Sequence, residues 1–164
     1  MYAITDTFVT MRNIVYIALS AAVIYACGNK EQNIEEEARQ MLNTARQQMY
    51  AQNYNAAKDT VLSMRKRFPG AFEARTEGII VMDSIELLEA QDSLAIIDTL
   101  LKKEQTILKQ LQAVKNKNNL EERSQQNLKV FHIKQHFDEM GAKVKFFLRK
   151  IEIDKAEQQN SSKR

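Results

Sequence analysis

His132 and His136 stand four residues apart in a stretch whose apolar spacing predicts a helix, so both imidazoles could reach one metal ion. No glutamate lies between them in the order a zinc hydrolase uses, and they flank a predicted helical seam, where surface histidines need no ligand. Thr44 and Ser63 have no histidine nearby in sequence to make a nucleophile, and the chain contains neither a glycine-rich phosphate loop nor a nucleophile elbow. Its carboxylates are scattered over polar helix faces, as solvated charge usually is. These residues predict a non-catalytic protein with no metal site and no cofactor.

The remaining reactive side chain is the single thiol, Cys27, which closes the segment MRNIVYIALSAAVIYACGNKEQ. From Ile14 to Ala26 only Ser20 and Tyr25 carry side-chain polarity, and the run falls short of the roughly 20 residues a spanning helix needs. It has the length of a signal-peptide core, preceded by Arg12 and ending in Ile24-Tyr25-Ala26-Cys27. This ending resembles a bacterial lipobox. The resemblance implies cleavage between Ala26 and Cys27 and covalent lipid on the Cys27 sulfur, which would leave no thiol for a disulfide or a metal. One acyl chain binds a bilayer only marginally at about 0.8 kcal/mol per methylene, whereas the three chains of such a lipoprotein would hold it essentially permanently. An uncleaved signal anchor is the competing reading, but extending the run back to Phe8 would bury Arg12 and Asn13. Residues 1–10 carry Asp6 and no cation, so the reading places the translation start at Met11, with Met1 as the alternative.

Beyond the leader the chain has few breakers, with four glycines and one proline in all, and no tryptophan. Apolar residues recur at intervals of three and four, which predicts an all-α fold. Residues 27–33 form a short polar tether. A first helix is expected over Ile34–Ala51, with Ile34, Ala38, Met41, Leu42, Ala45 and Met49 inward and Glu35, Glu36 and Glu37 at its positive end. Asn53 is placed to cap a second, Tyr54–Arg67, with Tyr54, Ala57, Val61, Leu62 and Phe68 inward, and Pro69-Gly70 ends it. A third is expected over Ala71–Ala90, with Phe72, Ile79, Ile80, Leu87 and Leu88 inward, before a break at Asp92 or Ser93.

ARQQMYAQNYNAAKDTVLSMRKRFPGAFEA, from Ala45 to Ala74, resembles a tetratricopeptide repeat: Ala45 at a close helix crossing, Asn53-Tyr54 at the turn, Ala57 and Val61 inside the second helix, and Pro69 after it. An ordinary helical hairpin would also place alanine and proline there. The RKRFPGAFEA ending is similar to repeats of Gram-negative outer-membrane assembly lipoproteins. The whole chain is similar to small helical lipoproteins of the Bacteroides group, with a degenerate repeat and the ending HFDEMGAKVKFFLRK.

The second half keeps a narrower stripe: Leu94, Ile97, Leu101, Glu104, Leu108 and Leu111, then, after KNKNN, Val130, Ile133, Phe137, Met140, Val144, Phe147 and Ile151. Apolar residues every 3.5 positions make a seam for another helix. The expectation is a long antiparallel coiled-coil-like hairpin over 93–156, with arms on the order of 35 to 50 Å at 1.5 Å per residue. Its base would pack on the tetratricopeptide-like helices of 34–92, its tip near Asn116 to Leu120 would project, and residues 157–164 would be a frayed tail. Leu100, Ile107 and Val114 widen the first stripe and predict a second neighbour for it.

The net charge is +3, and RKR at 65–67 complements the dipole where the second helix ends. The cations of the last helix (Lys129, Lys134, Lys143, Lys145, Arg149, Lys150) either flank a coiled-coil seam and keep it soluble and in register or meet anionic lipid headgroups, an acidic protein face or cell-wall polymer. For an exported, lipid-held chain the expected partners are other envelope proteins. The membrane is expected to be reached through the anchor, and nucleic acid is not expected. Candidate contact residues are Tyr50, Tyr54, Arg65, Arg67, Lys145 and Arg149. The reading is therefore a lipid-anchored scaffold or adaptor in a Gram-negative envelope, on the outer membrane in preference to the inner. Self-association through residues 130–151 is the alternative.

Overall fold

The computed structural model describes residues 32–114 and 119–161. Ala26 and Cys27, the leader, most of the tether, the centre of the predicted tip and residues 162–164 lie outside the described residues. Those described form four helices and no strand: α1 over 32–50, α2 Tyr54–Arg67, α3 Phe72–Ala113 and α4 Leu120–Ser161. The fold is all-α, as the periodicity predicts.

The stripe expected on α1 is its inner face, with Ala38, Leu42 and Ala45 fully buried and Met49 nearly so. The α1–α2 turn is built by backbone hydrogen bonds: the Asn53 N–H donates to the Gln48 carbonyl and the Gln52 N–H to that of Met49. This is a Schellman-type ending whose left-handed position, usually glycine, holds Gln52 at φ 60°. Asn53 stands at the N-cap of α2 but its side chain makes no capping bond. Pro69-Gly70 does terminate α2, whose last carbonyls lie beside Arg65, Lys66 and Arg67.

Charged pairs give the helix directions. Arg39 and Arg46 of α1 hold Glu73 and Glu77 of α3, so these two helices run parallel. Lys58 of α2 holds Glu86 and Glu89, and the Tyr54 hydroxyl donates to Asp92, so α2 runs antiparallel to α3. The three share one core of Leu42, Val61, Met64, Ala74, Val81 and Ile85 with their neighbours. Where α3 comes closest, a Cβ on Gly78 would meet Met64 Cε at 2.9 Å and Leu42 Cδ2 at 3.4 Å, so the missing side chain sets the helix separation. Glu35 does not serve its own helix as expected. Its carboxylate accepts from the N–H groups of Glu73 and Ala74, capping α3 across the interface.

The break expected at Asp92 or Ser93 is absent, and α3 runs through it for 42 residues. Asp and Ser are only mildly unfavourable inside a helix, and here Asp92 is engaged by Tyr54 from outside while Leu94 and Ile97 continue the packing. At 1.5 Å per residue the whole helix is about 60 Å long, and the part past Asp92 accounts for about half of that. The unit of α1 to α3 and the hairpin thus share one helix.

α4 returns antiparallel along α3. Its pairings run in opposite order along the two helices: Gln126 and Lys129 with Glu104, Lys143 with Glu86, Lys150 with Asp83, and Gln158 with the Thr76 carbonyl. Both predicted seams face each other, and the seam residues Val130, Ile133, Phe137, Met140, Val144, Phe147 and Ile151 are half-buried or buried against α3. The seam offered for self-association is thus in use within its own chain, while Phe131, Phe146 and Leu148 of the same segment are exposed. The tail expected to fray from Glu157 is helical to Ser161, tied by Gln158.

Several inward assignments fail. Leu62, Phe72 and Ile79 are exposed, and the residues of α3 buried against α1–α2 are Ala74, Gly78, Val81 and Ile85. Leu100 and Val114, expected to meet another neighbour, are also exposed. The pairing of α2 with α3 reaches Asp92 through Tyr54, the first residue of α2, and the pairings of α3 beyond it among the described residues are with α4.

Candidate protein-interaction site

Three carboxylates of α3 and four lysines fix how its neighbours lie. Asp83 and Glu104 are 6% and 4% exposed, and an isolated buried carboxylate is costly. Lys150 reaches Asp83 and also Asp154 at 3.0 Å; Gln126 and Lys129 reach Glu104 at 2.8 and 2.9 Å. Burial holds the Asp83 carboxyl above the ordinary aspartate range, against the pull of Lys150. The Gln126 and Lys129 hydrogen bonds hold Glu104 below its range. Glu86 lies at a junction, 2.6 Å from Lys58 and 2.8 Å from Lys143. Burial opposes its ionisation, yet the two lysines outweigh that and bring it down.

These pairings use up half of the cationic stripe expected on the last helix. Lys129, Lys143 and Lys150 turn inward to α3, while Lys134, Lys145 and Arg149 remain outside and form no ion pair among the described residues. Burial on α3 recruits the first three; their charge was legible in the sequence and their direction was not.

Seven-residue steps place Phe72, Ile79 and Glu86 close to one line along α3. At Glu86 the furrow between α2 and α4 is bridged by Lys58 and Lys143. Two turns nearer the N-terminus of α3 it opens, with Phe72 75% and Ile79 42% exposed. Phe72, Thr76 and Ile79 floor two adjoining clefts. One, of about 720 Å³, lies toward Arg39 and the end of α4 at Asp154, Glu157 and Gln158. The other, of about 460 Å³, is walled by Arg65 and Arg75.

The six sequence-nominated contact residues fall in separate places. Arg65 is on the cleft wall. Arg67 points elsewhere, stacked 5.1 Å over Phe68 and 3.9 Å from Glu37. Tyr50 is exposed at the end of α1. Tyr54 is held by Asp92, whose hydrogen bond and charge, together with burial, push its hydroxyl up to about 12. Lys145 and Arg149 sit one turn apart on the outer side of α4. Phe72 and Ile79, the apolar floor, face outward, against the inward direction that the spacing predicts. Their true direction was legible in a competing stripe, Ala71, Ala74, Gly78, Val81 and Ile85, whose small residues mark the face another helix approaches closely.

The histidines do not converge with other ligands. His136 Nδ1 is 3.5 Å from Glu139, His132 packs edge-on to Phe131, and no cluster of three metal-ligating side chains occurs among the described residues. No helix among the described residues is long and apolar enough to cross a membrane. No family model matches the chain, and neither a curated protein nor a solved structure matches it.

Proposed function

We propose that this protein is a non-catalytic scaffold or adaptor, anchored through lipid on Cys27 in a Gram-negative cell envelope, in the outer membrane in preference to the inner. It acts by docking other envelope proteins on the α2–α3–α4 surface. The observation that supports docking is the exposed floor of Phe72 and Ile79 in a furrow that ion pairs bridge further along. Exposed apolar side chains grouped in a concave surface are the usual mark of a protein-binding site. The tetratricopeptide-like arrangement, with parallel α1 and α3 and antiparallel α2 between them, supports a peptide or helix as the occupant.

Two measurements test the two halves of this reading. A photo-crosslinking phenylalanine analogue at position 72 in living cells is expected to give one discrete adduct, absent when the analogue stands at Lys109 on the far part of α3. A smear identical at both positions would refute the docking surface. Metabolic labelling with a fatty-acid probe is expected to mark the wild type and not Cys27→Ser; label retained in the mutant would refute the anchor.

A further inference from the structure

The charges around the Phe72 floor are unevenly matched. Glu73 holds Arg39, Glu77 holds Arg46, and Asp154 holds Lys150, so these carboxylates each have a cation within the chain. On the other wall Arg65 has no carboxylate partner among the described residues. Arg75 donates to the Pro69 carbonyl at 3.0 Å, a neutral acceptor that leaves its charge uncompensated. No carboxylate lines that second cleft, whose walls are two guanidinium groups and whose floor is Phe72, Thr76 and Ile79. A guanidinium presents several donors in a planar fork suited to carboxylates, and it retains its charge at any physiological pH.

We propose that the occupant of this cleft is an acidic-apolar peptide segment of a partner protein. One large aliphatic or aromatic side chain rests on Phe72 and Ile79, and neighbouring Asp or Glu carboxylates engage Arg65 and Arg75. A basic or uniformly apolar segment is disfavoured, because it would leave both guanidinium groups without an anion when the cleft is covered. The proposal rests on the docking reading above and adds the chemistry of what docks.

The test uses the full chain and two fluorescein-labelled peptides, each with a Leu-Phe centre, one flanked by glutamates and the other by lysines. Fluorescence polarisation is expected to show the glutamate peptide binding at least about tenfold more tightly at low salt, with the difference shrinking as salt rises. The double variant Arg65→Glu/Arg75→Glu is expected to reverse the order of the two peptides, and an unchanged melting curve shows that it is folded. Phe72→Ser, at a position already exposed to water, is expected to weaken both.

Equal binding of the two peptides, no reversal in the double variant, or no binding of either would overturn the proposal. If the position-72 crosslink in cells is nonetheless discrete, the docking reading stands and only the acidic character of the partner falls. If that crosslink is also absent, both fall.

Discussion

α3 passes through two environments. In its first half it has α1 and α2 on one side and α4 on the other, and its buried residues include Ala74, Gly78, Val81 and Ile85, the three with side chains fully or almost fully enclosed. In its second half α4 is its sole neighbour among the described residues. There the seam residues are mostly half-buried, and the closest burial is at Ile97, Leu101 and Glu104. The base is therefore held by close packing, and the arm by a narrow apolar seam pinned at Glu104. Two-helix contact leaves each seam residue partly wet, so each methylene removed from water there contributes less.

The largest expected effect separates the two halves by core truncation. Leu42→Ala in the base is expected to cost about 3 kcal/mol, and Ile133→Ala in the arm about 1 kcal/mol, because a half-exposed site refills with water instead of leaving a cavity. Urea unfolding followed by helical circular dichroism measures both, and equal losses would break the distinction.

Next come the pinned carboxylates. Lys150→Met strands Asp83 in the base and is expected to cost about 1 to 2 kcal/mol, below the usual figure for a broken buried pair because Lys150 is itself partly exposed. Lys129→Met leaves Glu104 still held by Gln126, so a smaller loss is expected by the same measurement.

Acid should sharpen the contrast further. Glu104 and Glu86 are held below the ordinary glutamate value of 4.5, so their contribution is present above that pH and is lost as pH falls through their folded values. Asp83 is held above its ordinary 3.8, so the fold favours its protonated form, and acid relieves a cost there. Melting temperature against pH is thus expected to fall less steeply below pH 4.5 in Glu104→Gln than in the wild type, and more steeply in Asp83→Asn.

The smallest effect lies in the α1–α2 turn. Gln52→Gly removes the cost of a side chain at a left-handed position and is expected to stabilise by about 0.5 kcal/mol, a gain reduced by the freer unfolded chain. A lower melting temperature would contradict that account.

Much of this is legible in the sequence. The stripe of Ala38, Leu42, Ala45 and Met49 on α1, the two facing seams, and the stop at Pro69-Gly70 follow from spacing, because each of those faces has one job. α3 defeats the same method where it serves two faces. Apolar side chains then occur almost all round, Phe72 and Ile79 look as internal as Val81 and Ile85, and only the small residues tell them apart. Asp92-Ser93 looked like a cap because local preference is weak, and tertiary contacts on both sides of it overrode that preference. The cleft is therefore hidden in the very helix where periodicity is least selective, while Arg65 on its wall is legible from its charge as a contact residue.

An uninterrupted α3 also has a mechanical consequence. Its N-terminal turns form the floor of the two clefts and its far end carries the arm, with no joint between them, so the two move as one lever. A tilt of about ten degrees at the base carries the distal end through roughly 10 Å, given about 60 Å of helix.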